Sequence, residues 1–204
     1  ASGLVLGTLG FTHCCIEDIG VLRSIPGLTI ISPADALETV KAIGAAIALD
    51  TPSYIRLTGG SNNPIVYKKD YSFEIGKSIE LNKGEDVVIF STGSMVYNSL
   101  EAAKILSSKK ISCRVVNMHT IKPIDKEAIE KSLNSKLIVS LEEHNIIGGL
   151  GSAIAEHKSN FKNSPKQLFL GIKDVYGKGG TYSYLKDIHR LTPEKIVEDI
   201  LSNL

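Results

Sequence analysis

The sequence predicts an α/β fold made of two units, each with a mostly parallel sheet covered by helices. Short runs rich in β-branched residues alternate with amphipathic segments of helix length through most of the chain. Such alternation is typical of parallel sheets with right-handed crossovers. A turn-rich stretch, "GGSNNP", interrupts the pattern and separates the two units. The 204 residues, 43% hydrophobic and 22% charged, are enough for one large domain or two small ones.

The first unit is predicted to span residues 1–65. A strand, a helix and a second strand follow one another: "LTIIS" (28–32), "DALETVKAIGAAIAL" (35–49) and "PSYIRLT" (52–58). Asp35 is the predicted N-cap of the helix, and Glu38 is the third residue of a capping box. Pro33 ends the strand that comes before the helix.

The second unit is predicted over residues 81–204, after a linker at 66–80 that becomes a hairpin. Its predicted strands cover 86–93, 111–118, 136–143 and 166–174. Its predicted helices cover 94–109, 125–135, 148–161 and 192–204. Thr192 is the predicted cap of the last helix, and Pro193 takes the first helical position.

Charge, hydropathy and cysteine content exclude several functional classes. The net charge of +1 gives no electrostatic reason to bind nucleic acid or an anionic membrane. No apolar run approaches the ~20 residues that cross a bilayer, and the N-terminus lacks the pattern of a signal peptide. Three cysteines, without CxxC spacing, predict neither a disulfide framework nor a metal site. A cytoplasmic location is the simplest interpretation.

His13 and Arg56 are the candidate functional residues. His13 lies before a predicted helix, where it could reach the crevice at the carboxyl end of a sheet and donate a hydrogen bond or shuttle a proton. The alternative is a histidine that only packs locally. Arg56 ends a strand and could bind an anionic substrate, or it could form a structural ion pair.

Other reactive side chains near His13 have simpler explanations. Glu17 and Asp18 favour the start of a helix through its dipole, although a catalytic carboxylate is the alternative. Cys14 and Cys15 are expected to pack rather than to act as nucleophiles. "EEHNIIGGLG" (142–151) could offer backbone amides to a phosphate, but its glycines match no nucleotide-binding motif, so tight turns and close packing are favoured.

Several motifs together resemble one enzyme superfamily. "GFTHCCIEDIGVLRSIPGLTIISPADALE" is similar to the Gly-x-Thr-His segment of transketolase-like, thiamine diphosphate-dependent enzymes. "TGSMVYNSLEAAKIL", "VVNMHTIKPID", "LEEHNIIGGLGSAIAE" and "LTPEKIV" follow in the order of that superfamily's C-terminal domain. The resemblance covers essentially the whole chain. It implies that residues 1–65 are the second part of a pyrimidine-binding domain and that residues 81–204 are a complete transketolase C-terminal domain.

The resemblance also implies an activity and its cofactors. The expected function is transfer of a two-carbon ketol unit between sugars, with thiamine diphosphate and Mg²⁺ bound mainly by regions outside this chain. The glutamate that activates the cofactor is expected upstream of residue 1, so this chain alone is expected to be inactive. His13 matches the superfamily's active-site histidine. A homodimer is expected, and a separate diphosphate-binding subunit is a possible partner.

Two departures leave the substrate open between a small sugar and a keto acid. Sugar-phosphate transketolases commonly carry an aspartate four positions before the histidine, where this sequence has Leu9. They also carry a phosphate-binding arginine where this sequence has Gly59, with Arg56 a doubtful substitute. The alternatives are a deoxyxylulose-phosphate synthase, a 2-oxo acid dehydrogenase β subunit, and an assembly module without chemistry of its own.

Overall fold

The computed structural model describes residues 1–58 and 63–204. It contains a three-stranded sheet and a five-stranded sheet. The strands are β1 Thr29–Ile31, β2 Ser53–Ile55, β3 Ile79–Asn82, β4 Val87–Ser91, β5 Cys113–Asn117, β6 Thr120–Lys122, β7 Leu137–Asn145 and β8 Lys166–Ile172. The helices are α1 Asp18–Leu22, α2 Ala36–Ile47, α3 Met95–Ser108, α4 Lys126–Glu130, α5 Leu150–Lys158, α6 Tyr182–Ile188 and α7 Pro193–Leu201. The α/β class is confirmed.

The five-stranded sheet forms the core of the second unit. Its order is β3-β5-β4-β7-β8, and every neighbouring pair except β3–β5 is parallel. Strand β4 alternates its side chains between two apolar clusters. Val87 and Ile89 pack with residues of α3 and α7, whereas Val88 and Phe90 pack with residues of α4 and α5. Helices therefore cover both faces, as the near-continuous apolar strands predict.

The smaller sheet joins the two predicted units. Strand β1 pairs in parallel with β2 and antiparallel with β6, which follows β5 closely in the chain. Strand β6 was not predicted, and it completes the sheet of the first unit with residues of the second. The hairpin expected after the linker is wrong: among the described residues, β3 pairs with β5 instead.

Side chains cap the N-terminal ends of α2, α4 and α6. The Asp35 carboxylate accepts a hydrogen bond from the Glu38 amide (2.9 Å), as the capping box predicts. The Glu38 carboxylate, however, accepts from the amide of Ala34 (2.7 Å), one residue before the N-cap. The helix expected at 125–135 ends at Glu130 and continues as turns. Within the described residues, no helix is both long and apolar enough to span a membrane.

Candidate active site around His13

His13 ends a short 3-10 turn, Phe11–His13, and its side chain is exposed. The hydroxyl of Thr12 lies 3.1 Å from its Nδ1 atom. Within residues 1–58 and 63–204, its Nε2 atom has no hydrogen-bond partner. An exposed imidazole with one free nitrogen can donate a hydrogen bond to a ligand or exchange a proton with it.

The chain before and after His13 is closed into a loop by backbone hydrogen bonds. The Gly3 amide donates to the carbonyl of Cys15 (2.7 Å), and the Cys15 amide donates to the carbonyl of Ala1 (3.3 Å). Ser2 also forms isolated bridges with Cys15 and Thr58. We call residues 1–16 the His13 loop. Its two ends lie side by side, so whatever holds one end also constrains the other.

Arg56 lies under this loop and points inward. The residue is only 1% exposed, so the structure does not show the accessible guanidinium expected of an anion-binding residue. Its Nε atom lies 2.8 Å from the Asp18 carboxylate. Its Nη2 atom donates to the carbonyls of Cys15 (3.2 Å) and Glu143 (3.1 Å). These contacts are those of the structural ion pair, the other interpretation of Arg56.

Asp18 is held as a carboxylate by its neighbours. Burial alone would raise its pKa, but the charge and hydrogen bond of Arg56 and the hydroxyl of Tyr54 (2.8 Å) lower it below the ordinary value. The two cysteines of the loop behave differently. Burial raises the pKa of both Cys14 and Cys15, which disfavours their thiolate forms. Packing is therefore the better interpretation of these cysteines than nucleophilic catalysis.

Strand β7 carries a buried acidic pair, Glu142 and Glu143, near its carboxyl end. Glu143 is 1% exposed and accepts hydrogen bonds from the amide of Leu4 (2.5 Å), the hydroxyl of Tyr182 (2.6 Å) and the hydroxyl of Ser94. The Asn145 amide donates to the carbonyl of Ile16 (2.7 Å). Sequence reasoning missed this role of β7, because Glu143 and Leu4 are 139 residues apart.

The glycine-rich turn after β7 does not form a phosphate site. The Glu142 carboxylate accepts from the amides of Leu150 (2.7 Å) and Gly151 (2.9 Å), so the chain's own acid occupies the start of α5. A Cβ atom on Gly149 would clash with that carboxylate, and one on Gly151 would clash with Phe169. The glycines therefore serve tight turns and packing.

The loop between β8 and α6 packs against the His13 loop. The ring of Tyr176 meets the ring of Phe11 edge-on at 5.1 Å, and the Gly180 amide donates to the carbonyl of Gly7 (2.9 Å). Leu9, four residues before His13, is 60% exposed. Gly59 lies outside the described residues. Within residues 1–58 and 63–204, His, Cys, Asp and Glu form no cluster suited to a metal ion.

Comparison with known proteins identifies the family of the chain. The family model "Transketolase, pyrimidine binding domain" matches residues 2–63, and "Transketolase, C-terminal domain" matches residues 76–196. The chain belongs to the transketolase family. A structure described as "Split gene transketolase, inactive beta4 tetramer" superposes with a TM-score of 0.89 at 36% identity, over 100% of this chain and 65% of that one.

Curated relatives include separate subunits and longer enzymes. A "Putative transketolase C-terminal section" from Methanocaldococcus jannaschii is 37% identical over 100% of this chain and 64% of its own length. The "6-deoxy-6-sulfo-D-fructose transketolase subunit SqwH" from Clostridium sp. (strain MSTE9) is 38% identical over 96% of this chain and 60% of its own. A "1-deoxy-D-xylulose-5-phosphate synthase" from Halothermothrix orenii is 36% identical over 97% of this chain and 31% of its own. The chain thus spans less than two thirds of the relatives that it matches.

Proposed function

We propose that this chain supplies the His13 side of a transketolase active site that transfers a two-carbon ketol unit between sugars. The exposed imidazole of His13, on a loop fixed from below by a buried ion pair and a buried carboxylate, is the observation that carries the proposal. A loop held by several buried hydrogen bonds, with one free imidazole nitrogen, suits a group that must meet a substrate in a fixed orientation.

The described residues fit one part of a thiamine diphosphate site. They offer an imidazole for the reacting end of the cofactor, but no acidic cluster for the metal of its diphosphate. When bound, thiamine diphosphate supplies the carbon nucleophile that breaks and forms the carbon–carbon bond. We assign the diphosphate and Mg²⁺ to parts of the protein or complex other than residues 1–58 and 63–204.

His13 acts on the substrate rather than on the cofactor tail. Its free Nε2 can donate a hydrogen bond to a substrate hydroxyl or to an oxygen that gains negative charge during the reaction. It can also carry a proton between that oxygen and water, because an imidazole nitrogen can both accept and donate a proton. We propose a structural role for Arg56, since its guanidinium faces Asp18 and two backbone carbonyls.

We further propose that the protein works in a complex in the cytoplasm. Relatives described as transketolase subunits, and a neighbour described as a split-gene transketolase, support a separate diphosphate-binding subunit. That neighbour's beta4 tetramer supports contacts between copies of this chain, of which a homodimer is the simplest. We also propose domain limits of 1–65 and 81–204, with a linker at 66–80.

The substrate is proposed to be a sugar whose recognition does not need an acid at position 9. Leu9 is exposed near His13 and cannot accept hydrogen bonds through its side chain. A deoxyxylulose-phosphate synthase, which would use pyruvate as the donor, is the second candidate, because such an enzyme is 36% identical over 97% of this chain.

The full-length protein decides between these activities when assayed with its diphosphate-binding partner, if that is a separate polypeptide. Ketol transfer from a ketose to an aldehyde that depends on added thiamine diphosphate and Mg²⁺ is the expected result. Release of CO₂ from pyruvate, without transfer from ketoses, would support the synthase instead. If neither donor reacts, the chain acts as an assembly module and the proposal is wrong.

A further inference from the structure

The Glu143 side chain connects strand β7 to the start of the His13 loop. One carboxylate oxygen accepts the Leu4 amide at 2.5 Å, and the other accepts the hydroxyls of Tyr182 (2.6 Å) and Ser94. A Cβ atom on Gly3 would clash with this carboxylate, so the loop backbone lies directly against it. With three donors on a 1% exposed side chain, Glu143 is fixed in place.

The far end of the loop is fixed from the same strand. The Arg56 guanidinium donates both to the Glu143 carbonyl (3.1 Å) and to the Cys15 carbonyl (3.2 Å). Cys15 lies two residues after His13 and is paired with Gly3 through the backbone. Glu143 therefore contacts the loop in two ways. Its side chain binds the Leu4 amide directly, and its backbone carbonyl binds the Arg56 guanidinium, which in turn binds the Cys15 carbonyl.

From these contacts we infer that Glu143 is a positioning residue for His13. It does not need to touch the substrate. It holds the loop that carries the imidazole, so without it the His13 side chain should lose its fixed position. The inference rests on the proposed role of His13 wherever it concerns turnover, and it rests on geometry alone wherever it concerns the loop.

The neighbouring Glu142 provides a matched control. It is also 1% exposed and it accepts hydrogen bonds from two backbone amides, but those belong to α5 and not to the His13 loop. Leucine at either position removes a buried carboxylate from the same strand and leaves buried donors without a partner. Both variants should therefore lose stability, and only Glu143→Leu should release the loop.

Hydrogen exchange of the full-length protein tests the loop directly. In Glu143→Leu, the amides of residues 1–16 should exchange at least about tenfold faster, since the loop loses its hydrogen bond to a buried side chain. In Glu142→Leu, exchange should speed up at α5 instead. The His13 imidazole resonances in an NMR spectrum should shift in the first variant and stay in place in the second.

Turnover of the full complex gives the second readout. Glu143→Leu should lower kcat about tenfold or more while changing KM less, because a misplaced group affects the reacting geometry more than binding. Glu143→Gln should restore kcat to within about threefold, since its carbonyl can accept from Leu4 while its amide donates to the two hydroxyls. Glu142→Leu should keep the kcat of the wild-type protein.

Equal exchange of residues 1–16 in the two leucine variants would overturn the inference. So would a Glu143→Gln variant as slow as Glu143→Leu. If Glu143→Leu does not fold, Tyr182→Phe can be used, because it removes a single donor from the Glu143 carboxylate. Exchange at residues 1–16 should then speed up by a smaller factor. Unchanged exchange at these residues would refute the inference. If even the wild-type protein transfers no ketol unit, the proposed function fails, and the exchange data still decide whether Glu143 holds the loop.

Discussion

Replacing Arg56 by methionine should lower the free energy of unfolding by about 3 kcal/mol. Removal of one partner from a buried ion pair costs about 3–5 kcal/mol, since the other charge stays buried without compensation. The side chains of Arg56 and Asp18 are 1% and 6% exposed, so water cannot replace the lost partner. The Tyr54 hydroxyl still donates to the Asp18 carboxylate, which places the expected loss at the lower end of the range.

Urea unfolding followed by circular dichroism measures this loss. Asp18→Asn and the double variant complete a mutant cycle, in which the double variant should be more stable than the sum of the single losses predicts. Arg190→Met is the matched control. Arg190 also contacts two acids, Glu198 and Asp199, but its side chain is 37% exposed, so its loss should cost less than about 1 kcal/mol.

If Arg56→Met unfolds at the urea concentration of the wild-type protein and instead raises KM for an anionic substrate, Arg56 binds substrate and the structural role is wrong. A large loss in Arg190→Met, equal to that in Arg56→Met, would show that burial does not determine the cost.

Two further predictions concern the glycine-rich turn and the acid beside it. Gly149→Ala should destabilise the protein by about 2 kcal/mol or more, because the added Cβ would clash with the Glu142 carboxylate. Gly44→Ala, in an open position of α2, should instead stabilise the protein by up to about 1 kcal/mol. Thermal unfolding of the two variants measures both effects. Burial raises the pKa of Glu142 to about 7, from an ordinary value of 4.5. Between these values the unfolded chain has lost a proton that the folded chain keeps, so stability should fall by about 1.4 kcal/mol per pH unit as pH rises. Glu142→Gln should lack this component in urea titrations, and a pH dependence identical to that of the wild-type protein would contradict the assignment.

Sequence patterns predict the elements that bury continuous apolar runs. Strands β4, β5, β7 and β8 and helices α3, α5 and α7 lie close to their predicted places, because their own side chains form the core. Strand β6 has only three residues, and its partner β1 lies some 90 residues earlier in the chain, so local sequence holds little information about it. Helix α6 was missed for a similar reason, since its seven residues bury only Leu185.

The candidate site shows the same contrast between residues within a local motif and residues whose roles depend on distant contacts. The resemblance of the Gly-x-Thr-His segment picks out His13, and its exposure agrees with a residue that meets a ligand. Arg56 could not be assigned from the sequence, since a cation at a strand end suits either an ion pair or a bound anion. Glu143 could not be found, because its meaning depends on a contact with Leu4 across almost the whole chain. A buried carboxylate and a solvated one look alike in a sequence.

The most direct test of the proposed site is the turnover of His13→Ala in the complete, cofactor-loaded protein. His157→Ala is its control, because that imidazole pairs with Glu130 on α4, far along the chain from the His13 loop. Removing a hydrogen-bond donor to a developing charge should lower kcat about 10²-fold in His13→Ala, with unfolding and complex formation unchanged. A His13→Ala protein that turns over as fast as His157→Ala would contradict the assignment of His13 to the reacting centre.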